Sequence, residues 1–572
     1  MNYDQLDRFT LLMMIRKLVR VLFFTSAVLV SLWLLLAVGY HFIELKAPNV
    51  ELSTGIDVIR SDEDVRSSGP NWYSKNSYGI WEAYLEGAAY ERGFAFGQLA
   101  KDQIVSQEES FVAQIRRLIP SEWFLKTLKY GITFFNRNLQ DHVSTELRHE
   151  IYGVSISFSD DYDFIGDKYS RILNYHAAHD IGHALQDLSI VGCSSFAVWD
   201  SFSSDSSLLI ARNFDFYMGD DFAKDKIILF MRPDSGYAFA SVTWAGFMGV
   251  VSGMNEHGLT VTLNAAKSSI PNGAKMPISL LAREILQYAR TIEEAYAIAK
   301  SRETFVSESI LVGSAMDHEA AIIEKSPDRI GIYRPDATRL ICTNHYQSEM
   351  FRNDPINLNN IQYSDSKYRF ERLHQLLGEL DPIDPAKAVQ ILRNQEGLNE
   401  ADLGMGNPKA INQLLAHHGI VFQPEKRLLW LSANPFQLGA FVCYDLNQVF
   451  GTLEATNETR GKEVIHVDSL TIPTDPFVGS AQYQQFLRYK VLKNRLFDHI
   501  ALGKSIKWNE VLEQEFIGCN PESYITYFML GDFYLEQEEL EKAERYYQLS
   551  LSKEVASEQE RIQIIENIDA CH

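Results

Sequence analysis

Residues 194–201 alternate apolar and polar side chains, Ser203, Ser204, Asp205 and Ser206 are turn formers, and 207–216 resumes a strand pattern, so the two runs are expected to pair as a hairpin. Short strand-like runs follow at 226–231, 237–244, 250–254 and 259–263, separated by Pro233-Asp234-Ser235-Gly236, Ala245-Gly246 and Asn255-Glu256-His257-Gly258. Connections of that length predict an antiparallel meander. Helical spacing at 277–288 and 292–300 gives way to strands near 308–312, 320–324, 330–333 and 340–343. Closing strands lie at 420–422, 428–432 and 440–444, and apolar spacing between about 105 and 190 is helical. Strand runs interleaved with helix pairs predict an α/β fold, two antiparallel sheets covered by helices as a four-layer α/β/β/α sandwich.

The ends of the chain read differently. Residues 21–40 carry no charge and as a helix would measure about 30 Å, the thickness of a bilayer's hydrocarbon core. Arg8, Arg16, Lys17 and Arg20 precede this run, whereas Glu44, Lys46 and Glu51 follow it. The positive-inside bias then predicts a cytoplasmic tail and transmembrane helix over 1–45, with the rest of the chain on the periplasmic or extracellular side. A cleaved signal peptide ending at Ala37-Val38-Gly39 is the alternative, but the run exceeds the usual ~7 to 15 residue signal core. Residues 46–77, with Pro48, Gly55, Gly69 and Pro70 among serines and aspartates, read as a linker before a main domain over 78–475. Beyond it, 476–572 is helical, and Tyr527, Leu530, Gly531, Tyr534, Ala543 and Tyr547 fall on the offsets of one tetratricopeptide-like hairpin. A single repeat does not stand alone, so a helical pair docked on the main domain is expected, open to a protein partner.

Candidate chemistry centres on the first hairpin. Cys193 opens its first strand, and pairing returns Arg212 and Asp215 toward it. A thiol has a reference pKa of about 8.5, so a guanidinium alongside raises the thiolate fraction, and an aspartate can orient a base. The competing reading is an ordinary buried cysteine beside a surface Arg-x-x-Asp pair.

Gly192-Cys193-Ser194-Ser195-Phe196-Ala197 followed by Ala211-Arg212-Asn213-Phe214-Asp215-Phe216 resembles the cysteine N-terminal-nucleophile hydrolases of the acyl-coenzyme A:6-aminopenicillanate acyltransferase group, with choloylglycine hydrolases and penicillin V acylases as cousins. The stretch 85–97 and the region to about 450 share the resemblance. It implies an N-terminal-nucleophile sandwich and self-cleavage before Cys193. The freed α-amine, of reference pKa about 7.7 to 8.0, then serves as base. It also implies site roles for Asn264 and Asn344, whose uncharged amides suit oxyanion donation, and for Arg369, with Arg372 as competitor. His345 invites a Cys-His dyad that such a nucleophile does not require.

Charge and composition narrow the partners. A formal net charge of -22 argues against nucleic acid, whose phosphates would be repelled. Five cysteines are too few for a disulfide scaffold, and Cys342, Cys443, Cys519 and Cys571 are expected as free thiols. His176, His179, Asp180, His183 and Asp187 share a helical face, but no second cluster completes a zinc set, so neither metal nor cofactor is expected. The sum is a membrane-anchored, self-cleaving amidohydrolase or acyltransferase acting on a small N-acyl amide or acyl donor. The alternative is a catalytically silent domain presenting the C-terminal helices to a partner.

Overall fold

The computed structural model describes residues 45–50, 58–62, 64–119, 121–177, 192–267, 269, 273–452 and 463–572, with isolated positions between 24 and 39. In chain order the strands are β1 (Ile59–Asp62), β2 (Val65–Ser68), β3 (Asn71–Lys75), β4 (Trp81–Gly87), β5 (Ser194–Asp200), β6 (Ser206–Phe214), β7 (Ile227–Pro233), β8 (Phe239–Thr243) and β9 (Ser252–Asn255). They continue as β10 (Leu259–Ala265), β11 (Glu308–Ser314), β12 (Glu319–Lys325), β13 (Ile330–Tyr333), β14 (Arg339–Cys342), β15 (His418–Gln423), β16 (Leu428–Ser432) and β17 (Phe441–Asp445). One sheet has eleven strands in the order β1-β2-β3-β4-β7-β8-β9-β10-β11-β12-β13, the other six in the order β14-β5-β6-β15-β16-β17.

Strand alternation sorts side chains between two cores. On β5 and β6, Ala197, Leu208 and Ile210 face the larger sheet and pack with Ile228, Phe230 and Leu311. Phe196, Val198, Leu209 and Ala211 face the other way, onto Leu373 and Leu377 of helix Ser366–Glu379 and Leu392 of helix Pro385–Leu392. The outer face of the large sheet is covered by helices Ala89–Leu99, Thr145–Ser155 and Ile278–Tyr288. The order is therefore helices, sheet, sheet, helices.

Two expectations about the sheets need correction. The large sheet is not wholly antiparallel, because β4 pairs with β7 in parallel, from Trp81 opposite Ile227 to Gly87 opposite Pro233. The chain between them crosses helices and both strands of the β5–β6 hairpin, and such a crossover delivers the returning strand in the same direction. Nor is 46–77 a linker throughout: β1, β2 and β3 extend the sheet from Ile59. Runs of four or five residues rich in serine and charge carry too little alternation to show as strands.

The membrane anchor is also overturned. Among the described residues no helix is long and apolar enough to cross a membrane, and most of 21–40 lies outside those residues. Trp33 sits edge-on to Tyr130 of helix Glu122–Phe135 at 6.0 Å, so that part of the apolar run has a partner in the folded protein. An uncharged run supplies the length for spanning but suits packing on a domain equally well. The topology argued from its flanking charges falls with it.

The run 85–97 is a site of close backbone approach. A Cβ on Gly93 would lie 1.9 Å from the Glu150 carbonyl oxygen, backbone that has no room to yield. Gly93→Ala is accordingly expected to destabilise the protein by more than about 3 kcal/mol, seen as a lowered melting temperature or failure to accumulate. At the other end, helices Tyr524–Glu536 and Leu540–Leu551 form a hairpin in which Gly531 abuts the Tyr547 ring. This region docks on the main domain: Asn520 and Met405 exchange two hydrogen bonds of 3.0 and 2.8 Å, and Leu414 enters the helical core.

Candidate active site

Cys193 immediately precedes β5 and is fully buried. The β5–β6 register, Ser194 opposite Asn213 and Ser195 opposite Arg212, continues past the strand end, where Gly192 N–H donates to Asp215 O at 3.2 Å. Cys193 thus lies alongside the residues that the hairpin was expected to return to it.

Arg212 shares the inward face of β6 with Ile210 and reaches across to the larger sheet. Its Nη1 donates to Val251 O at 2.7 Å and Ser252 Oγ at 2.6 Å, its Nη2 donates to Leu263 O, and Nη2 also lies 3.6 Å from Cys193 Sγ. Ser252 Oγ is in turn 2.9 Å from His418 Nε2. The guanidinium does not produce a thiolate here. Burial pushes the Cys193 thiol up to about 11, overriding the lowering pull of Arg212.

Asp215 is in a parallel situation. Burial pushes its carboxyl up to about 8 against the lowering influence of Arg369 and Arg212, and neither carboxylate oxygen has a hydrogen-bond partner among the described residues. Among the described residues no hydrogen bond offsets the burial of this carboxyl, which is why it keeps its proton far above the usual carboxylate range.

Arg369 approaches from the outer layer, on helix Ser366–Glu379. Its Nη1 donates to Cys193 O at 2.7 Å and Ser194 Oγ at 3.1 Å, and its Nη2 to Asn344 Oδ1 at 2.9 Å and Asp365 Oδ1 at 3.0 Å. Arg372, one turn on, pairs with Glu400 instead, so Arg369 is the arginine that holds the cysteine. Asn344 gives one amide N–H to Ala265 O at 2.9 Å, and Asn264 gives one to Cys342 O at 3.0 Å. Ser195 Oγ donates to Asn264 Oδ1 at 2.8 Å, which joins the two sheets beside Cys193. His345 is held by Ser366 Oγ at 2.8 Å and Thr343 Oγ1 at 3.2 Å, and burial with the nearby Arg369 lowers it to about 4.

An aromatic cavity of about 50 Å³ lies nearby, walled by Phe111, Phe158, Phe216, Phe222, Trp244 and Phe247. Phe216 stacks on Phe214, so the cavity begins one residue beyond Asp215. His176 lines it as a satisfied core histidine, its Nδ1 at 2.8 Å from Ile172 O and its Nε2 accepting from Met248 N–H at 2.9 Å. His179, Asp180, His183 and Asp187 lie outside the described residues, as does the stretch that leads to Gly192. Among the described residues all five cysteines are free and no acidic, histidine and cysteine cluster could hold a metal.

Two features of the site escaped the sequence reading. Ser252 and His418 support Arg212 from β9 and β15, and Gln413 Nε2 donates to Gly192 O at 2.9 Å. The pair His417-His418 at a strand start was a visible oddity, whereas Gln413 sits in a loop with no distinguishing pattern.

The site is thus a buried cysteine contacted by Arg212 and Arg369, set in a two-sheet α/β sandwich. Residues 202–434 match the model of the acyl-coenzyme A:6-aminopenicillanic acid acyl-transferase family. That match begins after Cys193 and contains Arg212, Asp215, Asn264, Asn344 and Arg369. The chain is 28% identical over 270 residues to an uncharacterized protein of Archaeoglobus fulgidus, covering 44% of this chain and 45% of the relative. It is 24% identical over 270 residues to protein dcd1A of Dictyostelium discoideum, covering 44% and 59%. The chain thus spans about half the length of each of these relatives. A solved structure, the Caenorhabditis elegans ortholog of N-acylethanolamine-hydrolyzing acid amidase, aligns at 20% identity and a TM-score of 0.30, covering 41% of this chain and 93% of that one.

Proposed function

We propose that this protein is a self-cleaving cysteine amidohydrolase or acyltransferase that opens a carbon-nitrogen amide through a thioester on Cys193. The observation that carries the reading is Asp215, buried and without a side-chain hydrogen-bond partner among the described residues, beside a cysteine whose backbone nitrogen is still a peptide amide. Scission of the Gly192–Cys193 bond turns that nitrogen into an amine. Protonated, it is the cation that Asp215 lacks; neutral, it accepts the thiol proton and removes the barrier that burial sets on thiolate formation.

In the mature enzyme Sγ attacks the substrate's amide carbon, and the carbonyl electron pair moves onto oxygen. Asn264 and Asn344 each have a second amide N–H to offer that oxyanion. Collapse expels the amine, which takes the proton from the Cys193 ammonium, and leaves the acyl group on sulfur. Water or a second amine then resolves the thioester. Arg369 fixes the cysteine backbone, Arg212 and Asp215 position thiol and amine, and the aromatic cavity receives an apolar acyl group once its walls move apart. About 50 Å³ admits only a water or two as it stands.

Denaturing gels and intact mass measurement test this directly. Two fragments, 1–192 and 193–572, are expected, with Cys193 as the first residue of the larger and labelled by a thiol-directed acylating probe. An enzyme fully active on N-acyl amides while remaining one chain with Cys193 internal would refute it.

A further inference from the structure

Gln413 belongs to none of the patterns that define the nucleophile, yet its side-chain amide donates to the Gly192 carbonyl at 2.9 Å. It is 5% exposed and sits in a loop tied to β6 on both sides. Asn213 Nδ2 donates to Ile411 O at 2.9 Å, and His417 N–H donates to Phe214 O at 2.9 Å. The adjacent Leu414 is packed into the C-terminal helical core. A Cβ on residue 192 would lie 2.6 Å from Gln413 Nε2, so the missing side chain of Gly192 is what lets this amide reach the carbonyl.

A neutral N–H on a peptide carbonyl is an ordinary hydrogen bond. The same donor, already in place where negative charge develops in a buried site, stabilises a transition state far more than a ground state. Gly192 O becomes such a charge if Cys193 cuts its own chain, and the present inference rests on that reading.

We propose that Gln413 is the oxyanion donor of the self-cleavage step. Sγ of Cys193 bonds to the Gly192 carbonyl carbon as the thiol proton leaves, and the carbonyl π pair moves onto Gly192 O, which the Gln413 N–H holds. The adduct is a five-membered ring. Its collapse breaks the bond from Gly192 carbon to Cys193 nitrogen; the proton from the thiol ends on that nitrogen, and a thioester remains. Water then adds to the thioester and the carbon-sulfur bond breaks, giving the Gly192 carboxylate, the Cys193 thiol and the free α-amine. One water is consumed and nothing is oxidised. The donor differs from Asn264 and Asn344 because it addresses the chain's own carbonyl.

Pulse synthesis of the full chain in a cell-free system, with cutting followed on gels, tests the assignment. Gln413→Ala is expected to cut about 10²-fold more slowly than wild type. Gln413→Glu keeps the shape but sets a carboxylate against the oxyanion, so its rate relative to wild type should climb as pH falls from 8 to 5 and the carboxyl becomes a donor. A residue that only clamps the loop gives no such climb. If Gln413→Ala fails to fold, the Gln413→Glu profile decides alone. Gln413→Ala cutting at the wild-type rate, or a flat Gln413→Glu ratio, overturns the role of Gln413. A wild-type chain that never cuts at Gly192–Cys193 overturns the self-cleavage reading instead.

Discussion

Cys193→Ala should leave the 572-residue chain in one piece and lower amide turnover by on the order of 10⁴-fold or more. Both effects come from one atom, because Sγ is assigned to the attack on Gly192 and to the attack on substrate. The fold should survive. Arg212 keeps Val251 O, Ser252 Oγ and Leu263 O after losing its 3.6 Å sulfur contact, so the substitution should cost only about 1 kcal/mol. Gel mobility, a melting curve and turnover of an N-acyl amide panel separate loss of chemistry from loss of structure. Undiminished turnover in this variant would remove Cys193 from the mechanism.

The second large effect has opposite signs for stability and for catalysis. Asp215 is raised by burial from 3.8 to about 8 in the intact chain. The folded state therefore holds this proton more tightly than the unfolded state does. Its stabilising contribution is fully present below about pH 4 and is lost as pH rises through 8. Asn at this position has no charge to desolvate. Asp215→Asn in the uncut Cys193→Ala chain is thus expected to match its parent near pH 4 and to exceed it by a few kcal/mol at pH 8. In the Cys193 enzyme the same change should reduce turnover by about 10²-fold or more, because the amine loses the carboxylate that orients it. Denaturant titrations across that range give the first answer. A stability difference that does not vary with pH would show that Asp215 is not held neutral in the uncut chain.

What could be read in the sequence depended on how local each signal was. Cys193, Arg212 and Asp215 lie within one hairpin, and alternation alone placed the arginine and aspartate beside the cysteine. Asn264, Asn344 and Arg369 come from strand ends and a helix far along the chain, and only a resemblance singled them out. Strand alternation explains the difference in their access: Ser195 faces the larger sheet and finds Asn264, whereas Ser194 faces outward and finds Arg369. Arg369 and Arg372 lie one helical turn apart; the resemblance favoured the first, and Glu400 beside the second shows where the competitor goes instead. Gln413 had no signal, since its role depends on a tertiary contact with a glycine more than two hundred residues earlier. The apolar run 21–40 misled because length and lack of charge are compatible with more than one environment.

On the proposed self-cleavage, the parallel joint between β4 and β7 acquires a different meaning once residues 192 and 193 part. It becomes a border between two molecules, since β1 to β4 stay with the smaller product and β7 to β13 with the larger. Ion pairs cross the same border, the buried pair of Glu150 with Arg283 at 3.3 Å and that of Arg92 with the exposed Asp234 at 3.0 Å. Before the cut, unfolding and refolding concern a single chain. Afterwards, recovery requires two partners to meet again, neither of which can complete the large sheet alone. The working enzyme then persists by how slowly its halves come apart, and a sample once melted should recover poorly and worse on dilution.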